Sequence, residues 1–156
     1  MDTDRHGTGK SETMYEHGMD FTGKAFSARM PLKDGELLHK ELTGAIIRAA
    51  HAVHNTLGCG LLEKVYGNAL AWELTLDGKQ VVQQAEFPVI FREKNVGTYY
   101  ADMVVDGKVI VEVKAINVTT DIHRAQLINY LRISGLRVGL IINFSRPRIE
   151  FERIVV

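Results

Sequence analysis

The stretch Tyr99-Tyr-Ala-Asp-Met-Val-Val-Asp-Gly-Lys-Val-Ile-Val-Glu-Val-Lys-Ala115 decides the fold. It reads as two short β-strands joined at Asp106-Gly107, a dipeptide that supplies the positive φ a tight hairpin needs. Three charged residues stand among the apolar ones: Asp102, Glu112 and Lys114. Strand interiors disfavour Asp and Glu, and a charge is not buried without a partner. Two carboxylates and an ammonium gathered on one hairpin make an oxygen-donor site for a hard cation with an amine beside it. That constellation is the candidate catalytic centre.

Side-chain alternation sets a condition on it. Glu112 and Lys114 share a face with Ile110, while Val109, Val111 and Val113 take the other. A two-residue turn pairs Asp102 with Val111 and points Glu112 away. A three-residue connection, a bulge, or strands that splay at Asp102 bring Asp102 and Glu112 together. The competing reading is a surface hairpin with solvated charges, in which Glu112–Lys114 is an exposed ion pair of little consequence.

Around this hairpin, 156 residues suit one domain with a real core, and an apolar fraction of 46% is ordinary for a globular protein. No apolar run reaches the ~18–20 residues of a membrane span, and no signal peptide is recognisable at the start. The single cysteine, Cys59, excludes an intrachain disulfide and a cysteine-based zinc cluster. A cytoplasmic location without membrane contact is expected. Lys+Arg and Asp+Glu both number 19, so net charge carries no nucleic-acid footprint. Residues 1–39 hold five basic and seven acidic side chains, leaving fourteen and twelve in 40–156, a small surplus.

Residues 1–33 are polar and lack a sustained period, which predicts a flexible N-terminal arm ahead of a domain at 34–156. Gly7-Thr-Gly-Lys-Ser11 fails as a phosphate loop, because Asp4 stands where its first glycine belongs. Asp34 is a candidate N-cap for a helix from about Gly35 to Leu57, its buried stripe running through Leu38, Leu42, Ile46, Ala49 or Ala50, Val53 and Leu57. A second helix runs from about Leu61 to Leu76 after Gly58-Cys-Gly60. His51 and His54 lack a third ligand and read as surface or hydrogen-bonded histidines. Gln80–Gln84 and Glu86–Phe91 read as strand, with Pro88 favouring an edge. A third helix follows Thr119 or Thr120 and reaches Ser134. Leu136–Phe144 is an almost unbroken apolar run, the pattern of a strand covered on both faces. Arg148–Val156 closes as a last strand. The crossover from Val109–Ala115 through the third helix implies a parallel pair. The result is an α/β fold, a mixed sheet flanked by helices.

With these elements placed, several motifs coincide. Gly60-Leu-Leu-Glu63-Lys-Val-Tyr66, Leu42-Thr-Gly44 and Val53-His54-Asn55-x-Leu57-Gly58 precede the hairpin. Ala101-Asp102, Val111-Glu-Val-Lys-Ala115, Gln126-Leu-Ile-Asn-Tyr130-Leu131 and Ile142-Asn-Phe144 complete the set. In this order they resemble the GxxExxY proteins of the PD-(D/E)xK nuclease-like superfamily, over about residues 36–156. The resemblance implies a restriction-endonuclease-like αβββαβ core. Asp102, Glu112 and Lys114 match its D…ExK signature, although Ala101 stands where proline is usual. Glu63 matches a helical acid that helps complete the metal site, and Gln126 a helix residue beside it, with Tyr130 one turn on.

These matches imply a nuclease that hydrolyses phosphodiester bonds with Mg²⁺ or Mn²⁺. Asp102 and Glu112 would hold the metal together with the Val113 carbonyl, and Lys114 would orient water. Tyr66, Tyr130, Lys64 and Arg124 are candidate nucleic-acid contacts, although an aromatic on the apolar stripe such as Tyr66 is more often core, and the basic residues suit a solvated face at least as well. The alternative is a catalytically silent nuclease fold used for nucleic-acid binding or self-assembly. A homo-oligomer, in which the arm or first helix contributes buried surface, is also expected.

Overall fold

The computed structural model describes residues 37–156. The arm expected over 1–33 and the Asp34 cap lie outside the described residues. Three helices and five strands follow: α1 (Lys40–Leu57), α2 (Glu63–Leu76), β1 (Val81–Phe91), β2 (Lys94–Val105), β3 (Val109–Lys114), α3 (Asp121–Ser134), β4 (Val138–Asn143) and β5 (Glu150–Val155). The first helix begins later than Gly35. Leu37–His39 form a turn closed by Lys40 N–H donating to the Leu37 carbonyl at 3.1 Å, with His39 left-handed at φ 55°. No helix among the described residues is long and apolar enough to cross a membrane.

The strands form one sheet in simple chain order, β1-β2-β3-β4-β5. Only β3 and β4, joined through α3, are parallel, and the remaining neighbours are antiparallel. This is the crossover expected from sequence. The two stretches read around Ala85 are one edge strand, β1, which carries Pro88 where a missing N–H is tolerated.

Alternation divides the sheet's contacts. Val109, Val111 and Val113 of β3 and Val138, Leu140 and Ile142 of β4 pack with Ile46, Ala50 and Val53 of α1 and with Tyr66, Leu70 and Leu74 of α2. On the opposite face Val104, Ile110, Ile141 and Ile154 pack with Leu127, Ile128, Tyr130 and Leu131 of α3. Every residue of β4 is buried, as a strand covered on both sides must be. Helix α3 lies so close to β4 that a Cβ at Gly139 would meet Leu127 Cδ1 at 2.7 Å.

Candidate active site

The hairpin takes the wider of the two turns considered. Met103 pairs with Val111, Val104 with Ile110 and Val105 with Val109, so Asp106, Gly107 and Lys108 form a three-residue connection. Asp106 adopts φ 51° and Gly107 φ 63°, and Lys108 N–H returns to the Val105 carbonyl at 3.0 Å. Asp106 also caps the start of β1, its Oδ1 accepting Gln80 N–H at 2.8 Å. This register carries Asp102 opposite Glu112.

The ladder stops one step short of that pair, and the two carboxylates take over its hydrogen bonds. Asp102 Oδ2 accepts Val113 N–H at 2.8 Å, and Glu112 Oε1 accepts Asp102 N–H at 3.3 Å. Beside them Lys114 Nζ lies 3.6 Å from Glu112 Oε2. Glu112 is only 3% exposed, so the surface-hairpin reading does not hold.

A second irregularity flanks Asp102 on its other side, at Gln84 of β1. That residue sits across from Asp102 at φ 51°, a left-handed conformation in mid-strand. Both strands change sides at this point. Gln83 reaches Asn68 of α2 and Met103 packs with α1 and α2, whereas Ala85 and Ala101, two residues on, pack with α3. A regular strand keeps such residues on one face. The two carboxylates therefore occupy a local twist in the sheet.

Buried charge of one sign is costly, and the titration of the pair reflects it. Burial, and then the charge of Asp102, push the Glu112 carboxyl up to about 7, with Lys114 opposing. Burial also raises Asp102, against the pull of the Val113 N–H and Lys114.

Two helices complete the surroundings. Glu63 opens α2 and accepts Ala115 N–H at 3.1 Å, immediately after Lys114. The Gly60-x-x-Glu63-x-x-Tyr66 spacing has a direct structural reason. Gly60 turns the chain at φ 100°, a conformation closed to side chains with a Cβ. The Tyr66 hydroxyl then pins that turn, donating to the Gly58 carbonyl at 2.6 Å and accepting Leu61 N–H at 3.2 Å. Its ring stacks on Phe144 at 4.6 Å and is wholly buried. Tyr66 is thus a core residue that sets the start of α2, and its candidate role as a nucleic-acid contact is corrected.

From α3, Gln126 Nε2 donates to the Tyr130 hydroxyl at 2.8 Å. Burial raises the Tyr130 phenol, the bond from Gln126 opposes this, and the charges of Glu112 and Asp102 raise it further. Arg124 is turned elsewhere. Its Nε binds both carboxylate oxygens of Glu152 at 2.8 Å and its Nη1 binds Asp121 at 2.7 Å. A phosphate at Arg124 would compete with these two carboxylates for the guanidinium. Lys64 stands exposed on α2. His54 is hydrogen-bonded, Nε2 lying 2.8 Å from the Arg146 carbonyl, rather than one of a metal-binding pair.

Two further residues shape the site. Gln84 is one. Asn143, 1% exposed, is the other: its amide donates to the Ile116 carbonyl at 2.7 Å and its Oδ1 accepts Ile116 N–H at 3.2 Å. It fixes the chain as it leaves Lys114. A polar residue ending an otherwise apolar run was the available signal for Asn143, whereas Gln84 carried none.

A family model for the PD-(D/E)XK nuclease superfamily matches residues 40–154. The chain belongs to the PD-(D/E)XK nuclease superfamily. No curated protein and no solved structure matches it significantly. In this PD-(D/E)XK chain no three His, Cys, Asp or Glu side chains gather into a metal-binding cluster among the described residues. The oxygen donors at hand are two carboxylates and neighbouring carbonyls. They suit a hard divalent cation. A buried acid pair offset by one ammonium also leaves negative charge for such a cation to relieve.

Proposed function

We propose that this chain hydrolyses phosphodiester bonds of DNA or RNA with Mg²⁺ or Mn²⁺. The observation that carries the reading is the buried Glu112 carboxylate held against Asp102 with Lys114 Nζ 3.6 Å away. Structural ion pairs do not need a second carboxylate, and burying one is unfavourable without a function to serve.

Asp102, Glu112 and the Val113 carbonyl would hold the cation, which lowers the pKa of a bound water and offsets charge on the phosphoryl oxygens. The chain's own residues supply the rest. Lys114 carries a positive charge that cannot ligate a metal, so it orients the attacking water and stabilises charge developing on the phosphate. Glu63, held by Ala115 N–H, presents a third acid at the same end of β3. Gln126 fixes the Tyr130 hydroxyl, leaving that oxygen able to donate its proton toward the carboxylates or substrate.

The test is cleavage of labelled single- and double-stranded DNA and RNA with Mg²⁺ or Mn²⁺, with EDTA as control. Metal-dependent cleavage by the wild type that is absent in Lys114→Ala supports the reading. Purified protein that cleaves nothing with either metal points instead to a silent nuclease-fold module. A homo-oligomer assembled through residues 1–33 or α1 is part of the same proposal. Solution mass before and after deletion of 1–33 tests it, and an unchanged monomer refutes it.

A further inference from the structure

The β1–β2 hairpin continues well past the site. β2 pairs with β3 only over Met103–Val105, whereas its pairing with β1 runs on to the Phe91–Lys94 turn. Residues 91–100 are all exposed, and beyond Met103 only β1 pairs with β2 among the described residues. The projecting arm carries aromatic surface: Tyr99 is 46% exposed, Tyr100 51% and Phe91 56%.

The root of the arm adjoins the candidate active site. The Tyr99 ring meets Tyr130 edge-on, with centroids 5.5 Å apart and planes at 65°. Tyr130 in turn is held by Gln126 and shares a buried cluster with Ala101, the residue before Asp102, and with Ile110, two before Glu112. Phe87 pairs with Tyr99 across the strands and packs on the same side as α3. One face of Tyr99 is therefore supported by aromatic neighbours while much of the ring remains open.

Charge narrows the occupant. Within residues 86–100 the charged side chains are Glu86, Arg92, Glu93 and Lys94, which cancel. Phosphate tracking needs a positive surplus, so the arm cannot act by holding a backbone. An aromatic face instead accepts a nucleobase, with little regard to its identity. Bases within a duplex are already stacked on each other, so the fitting base is unpaired. Self-association through the arm is disfavoured by two features. Tyr99 and Tyr100 point to opposite faces, dividing the apolar surface, and Pro88 interrupts the donors along the free edge of β1.

We propose that Tyr99, standing on Tyr130 at the root of the projecting hairpin, stacks an unpaired base of single-stranded nucleic acid beside Asp102, Glu112 and Lys114. The inference rests on reading those three residues as a phosphodiester site, but its test reads binding and not cleavage.

The probes are labelled oligo-dT and oligo-U of about 15 nucleotides and a duplex of the same length, followed by fluorescence anisotropy with Ca²⁺ in place of Mg²⁺. Tyr99→Ala should weaken single-strand binding roughly 5- to 100-fold, leave duplex binding unchanged and keep the wild-type melting temperature. Tyr99→Phe, which keeps the ring face, should restore most of the loss. Trp72→Ala removes another exposed aromatic, 64% exposed on α2, and should bind as wild type does. Tyr99-dependent binding of either oligonucleotide supports the proposal, the tighter one naming the nucleic acid.

Single-strand binding equal in wild type and Tyr99→Ala overturns it, as does no binding by wild type or an equal loss in Trp72→Ala. A fall in solution mass in Tyr99→Ala also overturns it, by making the arm a contact between copies. The two readings fail separately. Tyr99-dependent binding without any metal-dependent cleavage removes hydrolysis and keeps stacking. Lys114-dependent cleavage with normal Tyr99→Ala binding does the reverse.

Discussion

Replacing Glu112 by glutamine should make the metal-free protein more stable at alkaline pH while removing its proposed metal site. Glu112 is almost wholly buried, and its carboxyl is raised from 4.5 to about 7 by burial and by Asp102. The sign follows from linkage. Below about pH 4.5 the carboxyl is protonated in both folded and unfolded chains and costs nothing. As the pH rises through about 7 the unfolded chain ionises freely while the folded one resists, so stability is progressively lost. Each tenfold change in proton affinity is worth about 1.4 kcal/mol, giving a ceiling of roughly 3 kcal/mol above pH 7. Glutamine does not titrate and can still accept Asp102 N–H. Lys114 loses its partner, which reduces the expected gain to about 1–2 kcal/mol.

For a domain of this size that is a melting-temperature rise of about 5–10 °C at pH 8, shrinking toward zero near pH 4.5. Thermal unfolding followed by circular dichroism in EDTA, for both proteins across this range, measures it. Adding Mg²⁺ should then raise the wild-type midpoint and leave Glu112→Gln unmoved. A difference that stays flat with pH, or a variant less stable than wild type at pH 8, would refute the reasoning.

Three other outcomes can be measured. Lys114→Ala should lower cleavage by ~10²–10³ while leaving metal binding largely intact, whereas Asp102→Ala should lose both. Equal cleavage in the two variants would assign the activity to a contaminant. Glu63→Gln should show intermediate activity, because an acid anchored on Ala115 N–H tunes the site without creating it, and activity equal to wild type would remove it. Gly139→Ala should destabilise by about 1–3 kcal/mol in urea unfolding, since its Cβ would fall 2.7–2.9 Å from Leu127 side-chain atoms.

The order of elements and the D…ExK positions were legible because they rest on local patterns. The long apolar run ending at Asn143 announced a strand covered on both sides, and Asp106-Gly107 announced a turn. The turn's width was not legible, since Asp-Gly suits two- and three-residue connections equally. Only the pairing of Met103 with Val111 distinguishes them. Gln84 stayed hidden because nothing in its neighbouring sequence marks a left-handed residue in mid-strand. Tyr66 lay on a helix face that served core and site alike. Its burial depends on Phe144, a residue from the far side of the sequence. The ion pairing of Arg124 was hidden for a related reason: Glu152, its main partner, comes from the last strand. The helix start at Lys40 depends on His39 turning left-handed, which no cap residue signals.

The three-residue turn at Asp106–Lys108 also governs which length changes this chain can inherit. One residue fewer there would slide β2 against β3 by a single step, setting Asp102 against Val111 and sending Glu112 to the wrong side. The same deletion at the outer end of β1–β2 meets a different fate. A bulge already interrupts the register between Val89 and Ile90, so an added or missing residue near Phe91–Lys94 can be absorbed before it reaches Asp102. Homologous chains should therefore vary in length at the far tip of the arm while keeping the spacing from Asp102 to Glu112 invariant. The two loops of one meander would then diverge under opposite constraints, one free to drift and the other locked by the chemistry beside it.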